Sequence, residues 1–120
     1  MTDTVTLNSN SDFRRIYARG KVYTNPALVI YVMKNRAGIC RVGITASKKI
    51  GNAVERNRSK RVIRAAFRSV REEIDGSFDI VLVARGRTKY TKSTELCGIM
   101  RKQFLSAGVI KNDSDTNKAD

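Results

Sequence analysis

The stretch from Lys48 to Arg71 carries nine basic side chains and one acidic one, Glu55. Within it, Asn57, Arg61, Arg64, Arg68 and Arg71 recur at spacings of four, three, four and three. At ~100° per residue on a helix, these positions fall in a stripe roughly 80° wide. Ile63, Phe67, Val70 and Ile74 form a second stripe about 120° from the first by the same arithmetic. One face is thus suited to packing, and a neighbouring face carries a row of guanidinium groups. A guanidinium is a flat fork that matches two phosphate oxygens at once, whereas an ammonium acts as a point charge. A helix that only needed to be soluble would mix signs, because like charges at i,i+4 destabilise it by roughly 0.2–0.5 kcal/mol per pair. The pattern points to a polyanion as the partner.

Ser47, Lys48, Lys49 and Gly51 lie just ahead of this helix. Its first backbone N–H groups, from Asn52 to Arg56, are expected to be unpaired and to point outward, as in anion-binding helix ends. The Gly-Lys-Ser/Thr ending of a nucleotide-binding loop is absent, so nucleotide hydrolysis has no support. Hydrolytic constellations are missing too. The chain contains no His to act as a general base near neutral pH. Glu72, Glu73 and Asp75 end a helix, and Asp113 and Asp115 lie near the C-terminus, so no convergent acid motif for a two-metal site is visible. Cys40 and Cys97 lie far apart and read as small, reduced core residues; a zinc site would want about four ligands.

The whole chain fits this reading. Its 120 residues suit one domain, and a formal net charge of +13 is the footprint of a nucleic-acid binder. A membrane surface is the competing polyanion, but no apolar stretch is long enough to span a bilayer. The N-terminus is polar and unlike a signal peptide, which suggests a cytoplasmic protein.

Periodicity supplies the elements that must position the basic helix. Residues 1–10 are expected to be a flexible N-terminal segment. Ser11 or Asn10 could cap a helix from about Asp12 to Arg19, ended by Gly20, with Phe13, Ile16 and Tyr17 on one face. Lys21–Thr24 reads as an edge strand, Ala27–Lys34 as a strand, and Ile39–Ala46 as a strand that alternates Arg41, Gly43 and Thr45 with Cys40, Val42 and Ile44. The basic helix is expected from Val54 to about Ile74. Phe78–Ala84 reads as a central strand, apolar for most of its length. Arg85–Lys92 is a second basic loop, and Ser93–Ala107 is a helix with Leu96, Ile99, Met100, Phe104 and Ala107 as its stripe. Residues 111–120 read as a disordered polar tail. The result is a single α+β domain over 11–110, in the order α-β-β-β-α-β-α, with a four-stranded mixed sheet packed against helices.

Residues 47–68, SKKIGNAVERNRSKRVIRAAFR, resemble the signature of the ribonuclease P protein family. Its Arg-Asn-Arg core is matched by Arg56, Asn57 and Arg58, followed by Lys60, Arg61, Arg64, Phe67 and Arg68. Similar segments lie at Asp12-Phe13 to Gly20, Val29 to Tyr31, Arg41-Val42-Gly43 and Val83-Ala84-Arg85, so the likeness covers roughly residues 11–107. The resemblance implies the same element order, with a left-handed β-α-β crossover through the basic helix. It implies that Arg56, Asn57, Arg58, Lys60, Arg61, Arg64 and Arg68 bind the phosphates of a catalytic RNA. It also implies that Phe13, Tyr17, Tyr31, Thr45, Ser47, Lys48 and Lys49 line a cleft for the single-stranded 5′ leader of precursor tRNA. The segment before Phe13, where relatives usually carry basic residues, is Thr6-Leu7-Asn8-Ser9-Asn10 here.

The activity implied is that of a subunit of the ribonuclease P endoribonuclease. The RNA subunit carries the chemistry and requires Mg²⁺, and the protein alone is inactive. The protein itself is expected to hold no catalytic residue and no metal, and to be a monomer in a 1:1 complex with the RNA, without membrane contact. Two rivals share some of these features. A general RNA-binding or ribosomal protein would share the charge but needs no leader cleft, and a metal-dependent nuclease would cleave without RNA. A DNA-binding helix-turn-helix lacks its second helix here, because strands flank the basic helix.

Overall fold

Strands form where β-branched and apolar residues alternate, and the alternation sorts them onto two unequal faces. The computed structural model describes residues 4–7 and 9–111. In chain order the elements are β1 (Thr4–Thr6), α1 (Asn10–Arg19), β2 (Lys21–Asn25), β3 (Leu28–Lys34), β4 (Cys40–Thr45), α2 (Ala53–Val70), β5 (Phe78–Ala84) and α3 (Ser93–Ala107). Short 3₁₀ turns lie at Lys48–Ile50, Arg71–Glu73 and Thr88–Tyr90. The sheet runs β1-β4-β5-β3-β2. The β1–β4 and β4–β5 pairs are parallel, and the β3–β5 and β2–β3 pairs antiparallel.

Among the described residues the sheet has five strands where four were expected. The extra one, β1, comes from the segment expected to be flexible. Thr4 and Thr6 stand opposite Cys40 and Val42, and the Leu7 N–H donates to the Val42 carbonyl at 2.8 Å. Leu7 is buried against Ile16 and Val81, which anchors the segment and covers the otherwise bare edge of β4. The tail beyond Lys111 lies outside the described residues.

On one face Leu28, Ile30, Ile80 and Leu82 pack with Ile63, Phe67 and Val70 of α2 and with Leu96, Met100 and Phe104 of α3. The Phe67 and Phe104 rings meet edge to face, 6.3 Å apart. On the other face lies α1, with Ile16 fully buried beside Val81. Two element ends differ from expectation. The first helix starts at Asn10 behind Ser9, whose side chain makes no capping bond. Gly20 follows it with φ −75°, so it is not a left-handed stop; instead a Cβ there would lie 2.6 Å from the Ile16 carbonyl oxygen. The basic helix ends at Val70 rather than Ile74, because Ile74 is drawn into a β-bridge with Ile110 and the Asp75 N–H donates to Val109.

The α1 face also buries a charge. Asp79 is fully buried, and Arg41 stands directly opposite it in the β4–β5 register. Arg41 Nε and Nη2 donate to its two oxygens at 2.7 and 2.9 Å. Arg15 Nη2 from α1 adds a bond of 3.1 Å, and Asn35 Nδ2 one of 2.9 Å. Burial, with help from the Asp79 charge, pushes the neighbouring Cys40 thiol up to about 12, so it stays an uncharged core residue. Arg41→Ala removes both short bonds from a carboxylate that water cannot reach. It is expected to destabilise the fold by about 2 kcal/mol, the usual cost of stranding a buried acceptor. Urea unfolding would measure this, and an unchanged midpoint would show that Arg15 and Asn35 suffice.

Candidate nucleic-acid interface

The approach to α2 is locked before any ligand arrives. The Asn52 side chain accepts from the Glu55 N–H at 2.9 Å, while the Asn52 N–H donates to Glu55 Oε1 at 3.2 Å. This capping box occupies N–H groups that the sequence reading left open to an anion. The helix start is therefore not a free cradle; its own carboxylate fills part of it. Gly51, at φ +143°, makes the preceding turn, and a Cβ there would collide with the Glu55 carboxylate. Lys89 reaches across from the β5–α3 loop to pair with Glu55 and donates to the Ile50 carbonyl at 3.0 Å. Hydrogen bonds from Lys89 and from the Asn52 backbone hold the Glu55 carboxyl below its ordinary value, and Glu55 in turn raises Lys89.

Arg56 belongs to this lock. Its Nη1 donates to the Gly51 carbonyl at 2.8 Å, and the residue is half-buried. The helical angle explains why: seven residues ahead of Ile63, Arg56 falls on the packing face. Asn57, Arg58, Arg61, Arg64 and Arg68 are exposed, while Lys60 is half-buried. Among the described residues, none of Arg58, Lys60, Arg61, Arg64 or Arg68 forms an ion pair. Arg71, in the 3₁₀ turn after the helix, is equally exposed and extends the row. Arg64, Arg68 and Arg71 border a groove whose floor includes Val42, Ile44 and Phe67 and whose far side is β1. Arg61, Arg64, Arg68 and Arg71 thus form a row of exposed guanidinium groups that no acidic side chain among the described residues neutralises.

The aromatic residues converge on the opposite face of the sheet. Phe13 and Tyr17 lie one turn apart on α1, with ring centres 6.5 Å apart. Tyr17 meets Tyr31 of β3 edge to face at 4.9 Å, and the Tyr17 and Thr45 hydroxyls share a hydrogen bond of 3.2 Å. Phe13 is half-buried and seats directly over Gly43, where any Cβ would collide with its ring. Tyr31 is half-buried, and Tyr17 is 39% exposed, the most accessible ring of the three. Ser47, Lys48 and Lys49 follow Thr45 off the end of β4, all exposed. Phe13, Tyr17, Tyr31 and Thr45 therefore form one constellation, from whose end the two lysines continue. Sequence reasoning missed the Arg15–Asp79–Arg41 cluster that pins α1 beside them, because the Arg41–Asp79 pairing depends on a strand register that no local pattern displays.

The sequence model of the family described as Ribonuclease P matches residues 1–108. The chain belongs to the ribonuclease P protein family. Among its relatives, the Clostridioides difficile (strain 630) protein named "Ribonuclease P protein component" is 46% identical over 84 residues, covering 69% of this chain and 74% of that one. The Clostridium novyi (strain NT) protein of the same name is 41% identical over 105 residues, covering 86% and 93%. Among solved structures, the Staphylococcus aureus RNase P protein superposes with a TM-score of 0.74 at 34% identity, covering 88% of this chain and 97% of that one. The Thermotoga maritima RNase P protein superposes at 0.68 with 30% identity, covering 81% and 96%. The chain is accordingly of the type that serves as a subunit of the ribonuclease P endoribonuclease. No helix among the described residues is long and apolar enough to cross a membrane.

Proposed function

We propose that this chain binds the catalytic RNA of ribonuclease P through the exposed face of α2, and the 5′ leader of precursor tRNA along the Phe13–Tyr17–Tyr31 cleft. The RNA subunit then removes the leader. The observation that carries the reading is the row Arg61, Arg64 and Arg68, exposed and, among the described residues, without acidic partners. Such a row repels itself unless phosphates lie between its members. The cluster of Phe13, Tyr17 and Tyr31 rings supports the second half. Aromatic rings accept any base by stacking, and leaders that differ from one tRNA to the next demand that tolerance. Lys48 and Lys49 would meet the leader's phosphates.

Among the described residues, no three Cys, Asp or Glu side chains come together as ligands for a metal ion. On this reading Mg²⁺ is held by RNA phosphates, and the protein screens phosphate repulsion around them. The complex would be cytoplasmic, with one protein per RNA. Reconstitution tests this directly. With a bacterial ribonuclease P RNA at low Mg²⁺, adding this chain should restore leader removal, and the chain alone should leave precursor tRNA intact. Cleavage by the RNA-free protein, abolished by changing a carboxylate, would make it a nuclease in its own right.

A further inference from the structure

We infer that the loop between β5 and α3 forms a separate nucleobase-binding site, in which an unpaired RNA base stacks on Tyr90. The inference rests on the reading that the chain binds RNA, but it uses neither the α2 row nor the α1 cleft. Tyr90 is 77% exposed, the most exposed aromatic side chain among the described residues. Leaving so much ring in water is unfavourable, and a mobile loop could fold it away.

This loop is held in place from several sides. Thr88, fully buried, accepts from the Arg85 N–H at 2.8 Å and donates to the Ala27 carbonyl at 2.6 Å. Thr91 Oγ1, also buried, donates to the Arg87 carbonyl at 2.9 Å. Lys89, strapped to Glu55 and Ile50, places its ammonium 5.3 Å from the Tyr90 ring centre, a distance at which cation and ring attract. The ring is therefore presented rather than merely left out, and a presented ring loses little freedom on binding.

Beside it lies a groove of about 500 Å³, bounded by Tyr90, Pro26, Arg87 and Glu95 among others, within the ordinary ~300–1,000 Å³ of small-ligand sites. Arg87, which lines the groove, and Lys92, two residues beyond Tyr90, are exposed and without an ion pair among the described residues, so phosphates flanking a stacked base would find cations close by. Glu95 offers an acceptor for a base amino group. A flat ring, a groove beside it and a basic rim together match a single extruded nucleotide. That nucleotide can come from the RNA subunit or from precursor tRNA.

The chain contains no Trp, so Tyr90→Trp introduces a single tryptophan, excited at wavelengths the tyrosines do not absorb, whose fluorescence a stacked base quenches. Titrating this full-length variant separately with ribonuclease P RNA and with precursor tRNA should give quenching with one of them, which identifies the source. Tyr90→Ala should weaken binding of that same RNA roughly five- to a hundredfold, with Tyr90→Phe within about twofold of the parent. Absence of quenching with both RNAs, or an unchanged affinity for Tyr90→Ala, overturns the site. The α2 reading is judged separately. If alanines in the arginine row leave binding intact while Tyr90→Ala weakens it, the row fails and this site stands.

Discussion

Replacing Arg61, Arg64 and Arg68 together with alanine is expected to weaken binding to the ribonuclease P RNA on the order of a hundredfold near physiological salt. Each guanidinium that neutralises a phosphate releases a condensed counterion, worth about 0.9 in the slope of log K against log salt for a duplex. Three such charges steepen that slope by roughly 2.7, and at about 0.15 M salt each contributes a factor of about five. Alanine keeps the helix, being its best former. The three side chains are exposed and make no ion pair among the described residues, so the fold should be untouched. A salt titration therefore separates the two possibilities. A flatter slope with unchanged thermal stability places the row on phosphates. An unchanged slope means that these cations only solubilise the helix.

The second large effect is expected at Tyr17. Its ring is the most accessible of the three clustered aromatics, and its hydroxyl is oriented by Thr45. Tyr17→Ala should cost the reconstituted enzyme roughly five- to a hundredfold in affinity for precursor tRNA, the range for one lost base stack, and leave mature tRNA unaffected. Tyr17→Phe keeps the ring and loses only the bond to Thr45, so its loss should be a few-fold. Equal losses for precursor and mature tRNA would remove Tyr17 from the leader path.

Much of this arrangement could be read before the fold was known. β5 and α3 fall where the apolar pattern places them, and the arginine stripe follows from helical spacing alone. What escaped was decided by contacts distant in sequence. β1 has three residues, too few to show alternation, and exists because β4 offers an edge and Leu7 a buried anchor. The early end of α2 is set by Ile110, thirty-six residues beyond Ile74. The bond from Arg56 to the Gly51 carbonyl was not visible in the motif either, although the helical angle of Arg56 sets it toward the packing side. Asp79 carried no visible sign in an apolar strand until the register set Arg41 beside it.

The two surfaces assigned to RNA lie on opposite sides of one sheet, with α1 on the first side and α2 on the second. Neither can shift toward the other without breaking the pleated layer between them. On the proposed reading, a polynucleotide gripped on the helix side and a strand threaded on the other would be held at a fixed interval, set by backbone hydrogen bonds rather than by supple side chains. The small domain would then act as a gauge, registering how far the threaded strand runs from the place where it is cut.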